Sequence, residues 1–232
     1  MSTTTLPDQR TLRVLPWLVA VGLFMENLDI SILNTAVPTI AEDLGTSALS
    51  LKAVLTTYTL ALAVFIPISG WMADRYGTRR IFRMAVALFT IGSLLCGLSQ
   101  NLPMLVASRF LQGVGGAMMT PVGRIALIRA YPRSQMLAMM NFVVIPALIA
   151  PLLGPFIGGF MVHWLPWQTI FLVNLPIGIV GWWMIRRYMP DHVDRGVAPL
   201  DGLGMLLFGA GIALLSYVLE VFGEHTWPPT EI

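Results

Sequence analysis

Two long apolar runs of this chain are separated by a strongly basic stretch, residues 70–83, which constrains the fold more than any other feature. The stretch contains one acid, Asp74, and four arginines at positions 75, 79, 80 and 83. Such a cluster cannot lie in hydrocarbon, so it predicts a loop between two membrane-spanning helices. Because short cytoplasmic loops carry the excess of basic residues, we expect this loop in the cytoplasm.

The composition favours a membrane protein over a soluble one. Of the 232 residues, 56% are hydrophobic and 11% are charged, whereas a soluble domain has about a quarter of its residues charged. The formal net charge of +2 gives no reason to expect a nucleic acid partner. Cys96 is the only cysteine, and the histidines at 163, 192 and 225, for which we predict loop positions, follow no metal-ligand spacing. We therefore predict no metal site.

The apolar runs predict an all-α polytopic membrane protein with seven membrane-spanning helices. The predicted spans are residues 15–38, 51–72, 81–98, 102–124, 136–162, 170–185 and 203–221. Residues 1–187 would form a six-helix domain, residues 188–202 a cytoplasmic connector, and residues 203–232 a seventh transmembrane helix with a truncated external end. Arg10 and Arg13 precede the first span and predict a cytoplasmic N-terminus.

A weak internal similarity relates the two halves of the six-helix domain. Residues 69–82 align without gaps on residues 158–171, keeping a glycine, a methionine and a closing Ile-Phe. The charges of the first copy are absent from the second, as expected if the second stretch faces the opposite side of the membrane. This pattern favours a three-plus-three inverted repeat.

The basic stretch resembles a known family signature. Its glycines, acid and bases fall at the offsets of the loop between helices two and three of the major facilitator superfamily of secondary transporters. In that family the acid and base act as a conformational latch, in which the acid engages a helix N-terminus of the other half. The resemblance implies latch roles for Gly70, Asp74, Arg75, Gly77, Arg79 and Arg80.

Two carboxylates, Glu26 and Asp29, lie inside the first apolar run at a spacing that places them on one helix face. An ionisable group there costs at least ~2.5 kcal/mol on insertion scales, so it should face a polar cavity or a partner. Residues 28–38 resemble the helix-one signature of the fourteen-spanning drug:proton antiporters of the EmrB/QacA type. The resemblance implies that Glu26, Asp29 and Asn34 couple protons or bind substrate; the alternative is a structural carboxylate satisfied by a buried base.

The fourth span supplies a candidate base, Arg109, followed by Gln112. Both belong to a stretch that resembles the fourth-helix motif of the superfamily, which implies a part in proton coupling. At ~1.5 Å per residue, Arg109 lies about 10 Å and Asp29 about 13 Å from the external face. If helices one and four are neighbours, the pair would keep Asp29 ionised, and its separation would let the acid take a proton.

The fifth span carries small residues at a four-residue spacing, which lets another helix approach closely. Two prolines bend the same segment, as membrane helices tolerate. The stretch resembles the antiporter motif of the drug-efflux families, although two leading glycines of that motif fall on Asn141 and Ala150. The implied packing residues are Ala150, Pro151, Gly154, Pro155, Gly158 and Gly159.

Residues 167–178 and the pair Asp201-Gly202 also resemble the fourteen-spanning branch. We therefore expect the N-terminal half of a multidrug efflux antiporter of the bacterial inner membrane, which exchanges a small organic substrate for protons. The implied partners are the lipid bilayer, the substrate, protons and the missing C-terminal half, with the proton gradient and no cofactor as the energy source.

Two alternatives stay open: a carrier of a small metabolite on the same scaffold, and a non-transporting membrane partner protein. An enzyme is not expected, because the chain lacks the Gly-x-Ser-x-Gly and His-Glu-x-x-His motifs.

Overall fold

The computed structural model describes residues 9–194 and 196–224, and over these residues it contains helices and no strand. The helices are α1 (Gln9–Asp43), α2 (Lys52–Tyr76), α3 (Thr78–Gly97), α4 (Leu102–Ala130), α5 (Arg133–Trp164), α6 (Thr169–Leu172), α7 (Asn174–Tyr188) and α8 (Gly202–Glu224). The predicted all-α class is confirmed. His225 lies outside the described residues.

Five segments of the described chain are long and apolar enough to cross a membrane: α1, α2, α3, α5, and α6 together with α7. Helix α4 falls short of that apolarity because it carries Arg109, Gln112 and several glycines. Those residues are buried against neighbouring helices, so α4 does not need an apolar surface all round. In α8 the apolar helical stretch is residues 202–215.

Of the residues that the structure describes, those up to position 197 form one compact unit and those from 198 to 224 form a second. Within the first unit, α1 packs along α5, while α4 packs against both α2 and α3, and α3 also contacts α7. Its apolar side chains form two buried clusters, one around Phe82 and Phe89 and the other around Ile32 and Leu33. Residues 188–197, the larger part of the predicted connector, therefore belong to the six-helix unit.

The helices extend beyond the predicted spans. Helix α1 begins at Gln9 and reaches Asp43, although residues 15–38 were predicted, and Pro38 lies inside it. Likewise α4 continues to Ala130, six residues past the predicted end at position 124. Hydropathy identifies the part of a helix that crosses hydrocarbon, and charged or polar residues can end that part without ending the helix.

Residues 70–83, which were predicted to form a loop, are almost entirely helical, because their charged side chains end the hydrocarbon-crossing part of each helix without ending the helix. Helix α2 runs to Tyr76 and α3 starts at Thr78, so Gly77 alone separates them. Gly77 has φ of 100°, a conformation that residues with a Cβ rarely adopt. A Cβ at this position would also collide with the carboxylate of Asp191. The loop prediction was wrong in extent, and the sharp reversal depends on one glycine.

The predicted sixth span is interrupted at Val173, between α6 and α7. Pro176 has no amide hydrogen to donate to the carbonyl four residues earlier, that of Leu172, which accounts for the interruption.

A second correction concerns His163, which was predicted in a loop but lies in the last turn of α5.

One end of the bundle gathers basic residues, and we call it the arginine end. Arg129 near the end of α4 contacts Asp74 near the end of α2, and Tyr131 donates a hydrogen bond to the carbonyl of Leu12 near the start of α1. At the opposite end, Trp167 Nε1 donates to Asp43 Oδ2 over 2.6 Å. Because these contacts join the start of α1 to the ends of α2 and α4 at one end of the bundle, successive long helices run in opposite directions.

Candidate functional site

A buried ion pair joins α1 to α4. Arg109 Nη1 lies 2.5 Å from Asp29 Oδ2, and each side chain is 1% exposed. The contact expected from the similar depths of the two residues is therefore present. Because both groups are withdrawn from water, further hydrogen bonds to their polar atoms are needed to offset the cost of desolvation.

The other carboxylate oxygen of Asp29 is held by two amides. Gln112 Nε2 donates to Asp29 Oδ1 over 2.9 Å, and Asn174 Nδ2 donates to the same oxygen over 2.9 Å. Arg109 Nη1 also donates to Gln112 Oε1 over 2.7 Å. The donors come from α4 and α7, so the carboxylate of α1 links three helices.

Ser93 of α3 completes this arrangement. Its hydroxyl oxygen accepts from Gln112 Nε2 at 3.0 Å and from Asn174 Nδ2 at 2.9 Å. The contact requires α3 and α4 to lie close together, and Gly92 permits this, since a Cβ there would be only 2.6 Å from Cα of Gln112. We call Asp29, Ser93, Arg109, Gln112 and Asn174 the buried polar cluster.

Sequence reasoning missed two members of this cluster. Ser93 was not singled out, and Asn174 was quoted only within a family-like stretch. The available signal was an asparagine in an otherwise apolar run, because a polar group in such a run needs a partner; the structure shows Asn174 completely buried.

Aromatic rings enclose the guanidinium of Arg109. The ring of Tyr58 lies 4.1 Å from its central carbon and that of Phe171 lies 5.9 Å away. Contacts of a desolvated cation with ring faces are favourable. Within the described chain, Arg109 Nε, Asn174 Oδ1 and the hydroxyl of Tyr58 are buried without a hydrogen-bond partner. The cluster thus keeps unused hydrogen-bonding capacity at these atoms.

The second predicted carboxylate, Glu26, occupies a different environment. Its side chain receives a hydrogen bond from Thr120 Oγ1 to Oε2 over 3.0 Å, and the residue is 9% exposed. No salt bridge to Glu26 is present among the residues that the structure describes. The two carboxylates of α1 therefore differ, one paired with a cation and the other with a hydroxyl.

Asn34, the third residue predicted on α1, is exposed and forms no hydrogen bond with the buried polar cluster. It lies more than one helical turn beyond Asp29, so the shared family-like segment does not imply a shared site.

The predicted latch residues lie at the arginine end. Arg129 Nη2 contacts Asp74 Oδ1 at 2.5 Å, and Arg79 Nη2 lies 3.6 Å from Asp191 Oδ2. Arg75 and Arg80 are exposed, and Gly70 is partly buried within α2. Asp74 thus has a partner inside this chain, Arg129, that sequence reasoning did not identify.

The segment after α7 folds back onto the turn around Gly77. The amide of Thr78 donates to the carbonyl of His192 over 3.2 Å, and the amide of Asp194 donates to the carbonyl of Asp74 over 2.8 Å. Burial, followed by the nearby charge of Arg129, lowers the pKa of His192 below its ordinary value. We call residues 190–194 the docked connector.

The predicted packing stripe of α5 faces α1. Ala150, Gly154 and Gly158 are buried, whereas Pro151 and Pro155 are exposed and Gly159 is partly buried. A Cβ at Gly154 would overlap the side chain of Ser31 on α1.

A hydrogen bond between the two helices strengthens this contact. Because Pro155 has no amide hydrogen, the carbonyl of Pro151 lacks its usual helical donor. The hydroxyl of Ser31 donates to that carbonyl instead over 3.0 Å, which explains how α5 tolerates its prolines at the interface.

Comparisons with known proteins place the chain in a family. The model of the Major Facilitator Superfamily matches residues 19–227. MdtD of Salmonella typhimurium strain LT2, which is named as a multidrug resistance protein, is 46% identical over 94% of this chain and 46% of its own length. The chain thus spans about half the length of the curated relatives that it matches.

Solved structures share the fold at low sequence identity. A POT family transporter in complex with a thioalcohol-conjugated peptide has a TM-score of 0.69 and 20% identity, over 96% of this chain and 50% of its own. The human organic anion transporter MFSD10 has a TM-score of 0.65 and 14% identity, over 94% and 57% of the two chains. The chain therefore belongs to the major facilitator superfamily, a family of multi-pass membrane transporters rather than enzymes.

Proposed function

We propose that the full-length protein is a multidrug efflux antiporter that exports a small organic compound in exchange for protons. The observation that carries this proposal is the Asp29–Arg109 pair, which is 2.5 Å long, almost completely buried and placed between two packed helices. A titratable group at such a depth is costly to keep and marks a transport or proton pathway by default. The 46% identity to a protein named for multidrug resistance supports the substrate class.

Proton coupling follows from the chemistry of the pair. While Arg109 contacts Asp29, the carboxylate is compensated and stays ionised. When movement of α4 relative to α1 separates them, a buried carboxylate without a cation favours its neutral form and binds a proton. Arg109 keeps its own proton throughout, because a guanidinium is not deprotonated in proteins. Asp29 is therefore the proton carrier, and Arg109 controls when it is loaded.

The amides of Gln112 and Asn174 determine which oxygen of Asp29 is available to bind the proton. Of the two carboxylate oxygens of Asp29, Oδ1 accepts from Gln112 and Asn174, whereas Oδ2 accepts from Arg109. Movement of α4 would withdraw Arg109 and Gln112 together and free Oδ2 for a proton, while Asn174 of α7 can continue to donate to Oδ1. Glu26 is the second candidate proton or cation site on the same helix, and its hydroxyl partner Thr120 gives it a different response.

The orientation belongs to the same proposal. The arginine end would face the cytoplasm of a bacterial inner membrane, with the N-terminus on that side, because basic residues concentrate there. Cysteines introduced at exposed positions 52 and 133 test it, with the unmodified protein as the control for labelling of native thiols such as the buried Cys96. In intact cells an impermeant thiol reagent should label Lys52→Cys and leave Arg133→Cys unlabelled, and the reverse pattern would invert the topology.

The proton step is tested by Asp29→Asn in the full-length protein, reconstituted into vesicles with an imposed pH gradient. We expect loss of gradient-driven export, whereas exchange of labelled for unlabelled substrate without a gradient continues. Because this variant leaves Arg109 uncompensated, the double variant Asp29→Asn with Arg109→Met provides an uncharged pair of similar size. Normal gradient-driven export by either variant would exclude Asp29 as the proton carrier.

Glu26→Gln is the matched control for this test, since it neutralises a second carboxylate of the same helix. If Glu26→Gln removes coupling and Asp29→Asn does not, the proton site moves to Glu26. Export that is insensitive to the pH gradient in the unmodified protein would favour a carrier of another type.

A further inference from the structure

An apolar groove runs along the surface of the bundle between α3 and α7. It has a volume of about 200 Å³ and is lined by Ala87, Thr90, Ile91, Gly178, Ile179 and Trp182. The hydroxyl of Thr90 donates to the carbonyl of Val86 over 2.7 Å, so the single polar side chain of the lining is already satisfied by its own helix. The groove therefore offers apolar contact and little hydrogen bonding.

Cationic side chains stand at the arginine end of this groove. The guanidinium carbon of Arg83 lies 5.0 Å from the ring centroid of Trp182. Arg83 precedes Ala87 by one turn of α3, and Arg186 follows Trp182 by one turn of α7, so both share the face of the groove. Within the described residues, neither arginine forms a salt bridge.

The charge around the groove mouth is strongly unbalanced. The first turns of α3 and the last turn of α7 contribute five arginines, at positions 79, 80, 83, 186 and 187. Asp191 is the acid that contacts this group, and it pairs with Arg79. Two further acids lie nearby: Asp74 is engaged by Arg129, and Asp194 Oδ1 accepts from the amide of Gly196. Arg83 and Arg186 therefore retain their positive charge for an external anion.

We propose that α3 and α7 together bind an anionic phospholipid. Its phosphate lies between Arg83 and Arg186, its glycerol region lies against Trp182, and one acyl chain follows the groove past Ala87 towards Ile91 and Ile179. Tryptophan is suited to the boundary between headgroups and hydrocarbon, and basic pockets between membrane helices bind anionic headgroups.

The combination of features selects a lipid over other anions. Inorganic phosphate would use the arginines but would leave the apolar groove empty. A peptide would bring backbone amides and carbonyls that the groove cannot satisfy, at a high cost in an apolar environment. A phospholipid with a neutral headgroup would fill the groove and gain nothing from the unpaired arginines.

Native mass spectrometry of the full-length protein in detergent, titrated with phosphatidylglycerol or with phosphatidylcholine of identical acyl chains, tests the proposal. We expect preferential retention of phosphatidylglycerol. The double variant Arg83→Gln with Arg186→Gln should weaken its binding by about fivefold for each arginine removed. The control is Arg124→Gln with Arg133→Gln, which removes the same charge from exposed positions on α4 and α5.

A second variant separates the groove from the charge. Ala87→Phe fills the groove but keeps every arginine, so it should weaken phosphatidylglycerol binding, and an excess of inorganic phosphate should not displace the lipid. Equal retention of the two lipids, equal loss in the control, or full binding by Ala87→Phe would each overturn the proposal. Unfolding midpoints of all variants are compared first, so that a loss of fold is not read as a loss of binding.

Discussion

Two ion pairs of the same length occupy opposite environments in this bundle. Asp29–Arg109 and Asp74–Arg129 both have nitrogen–oxygen distances of 2.5 Å. The side chains of the first pair are 1% exposed, whereas those of the second are 36% and 28% exposed, with Asp74 the more exposed. The nitrogen–oxygen distance alone therefore does not indicate how much an ion pair contributes to stability. The exposure of the pair to water determines both the desolvation cost of forming it and the free energy lost on breaking it.

The comparison predicts different consequences for breaking the two pairs. Breaking a buried ion pair strongly destabilises the fold, since it leaves an uncompensated charge in a low dielectric. An exposed pair contributes little because water and salt replace either partner. Loss of the exposed pair at the arginine end should therefore change the free energy of unfolding much less than loss of the buried pair. Four predictions test this difference and the contacts around each pair.

The largest effect is expected when the buried pair is broken. Asp29→Asn should lower the free energy of unfolding by about 3–5 kcal/mol, because Arg109 is left as a buried cation. Arg109→Met should cost less, since Asp29 can take a proton and become neutral whereas arginine cannot lose one. Denaturant unfolding of the full-length protein in mixed micelles measures the difference.

The double variant Asp29→Asn with Arg109→Met is the control for that asymmetry. It contains no uncompensated charge, so it should be more stable than Asp29→Asn alone. Additive losses in the double variant, or a greater loss for Arg109→Met than for Asp29→Asn, would contradict the description of the pair as coupled and fully desolvated.

The second prediction concerns the amide that holds Asp29 from α7. Asn174→Leu removes one of the two amide donors to Asp29 Oδ1 and one of the two to Ser93 Oγ, which should cost about 1–3 kcal/mol of unfolding free energy. Asn27→Leu on α1 is a matched control, because the amide of Asn27 donates only to the carbonyl of Leu23 in its own helix over 2.8 Å. Equal losses for the two variants would show that Asn174 fills space and does not position the carboxylate.

For this cluster, the sequence predicted the properties that depend on position along one helix, namely the face on which a residue lies and its depth in the membrane. Spacing placed Glu26 and Asp29 on one face of α1, and counting residues placed Asp29 and Arg109 at similar depths. Neither operation could identify Ser93 or Asn174. Their contacts depend on the close approach of α3 to α4 at Gly92 and on the position of α7 after the interruption at Val173.

At the arginine end, composition predicted the charge but not the geometry. The basic residues indicated where hydrocarbon ends, and they were interpreted as a loop, although α2 and α3 continue through them. The partners of Asp74 and Arg79 lie 55 and 112 residues away in sequence. The distribution of charge along the sequence does not identify which arginine pairs with which acid over such separations, since every arginine at this end fits the same positive-inside bias.

The third prediction tests the exposed member of the comparison. Arg129→Gln should lower the free energy of unfolding by less than about 1 kcal/mol at low salt, because both partners stay hydrated. Raising the ionic strength to about 1 M, where the screening length falls to about 3 Å, should remove the remaining difference. Unfolding curves at two salt concentrations measure this. A salt-independent loss of several kcal/mol would mean that Asp74–Arg129 behaves as a buried pair.

The smallest effect concerns the docked connector and its dependence on pH. His192 has an ordinary pKa of 6.5, which burial and Arg129 lower and Asp191 partly restores. A detached connector therefore binds a proton as the pH falls through 6.5, whereas the docked one stays neutral until the pH is lower. Docking is stable above pH 6.5 and weakens below it, because only the detached form gains from protonation.

Hydrogen exchange at the amides of Thr78 and Asp194, which bond across the docked connector, reports this equilibrium. After correction for intrinsic exchange, protection of both amides should fall between pH 7 and pH 5 in the unmodified protein. Protection in His192→Gln should stay constant over the same range, since glutamine has no proton to gain, whereas the amide of Leu98 at the opposite end should be unaffected in both proteins. The same fall in His192→Gln would show that the histidine is not the group that makes docking depend on pH.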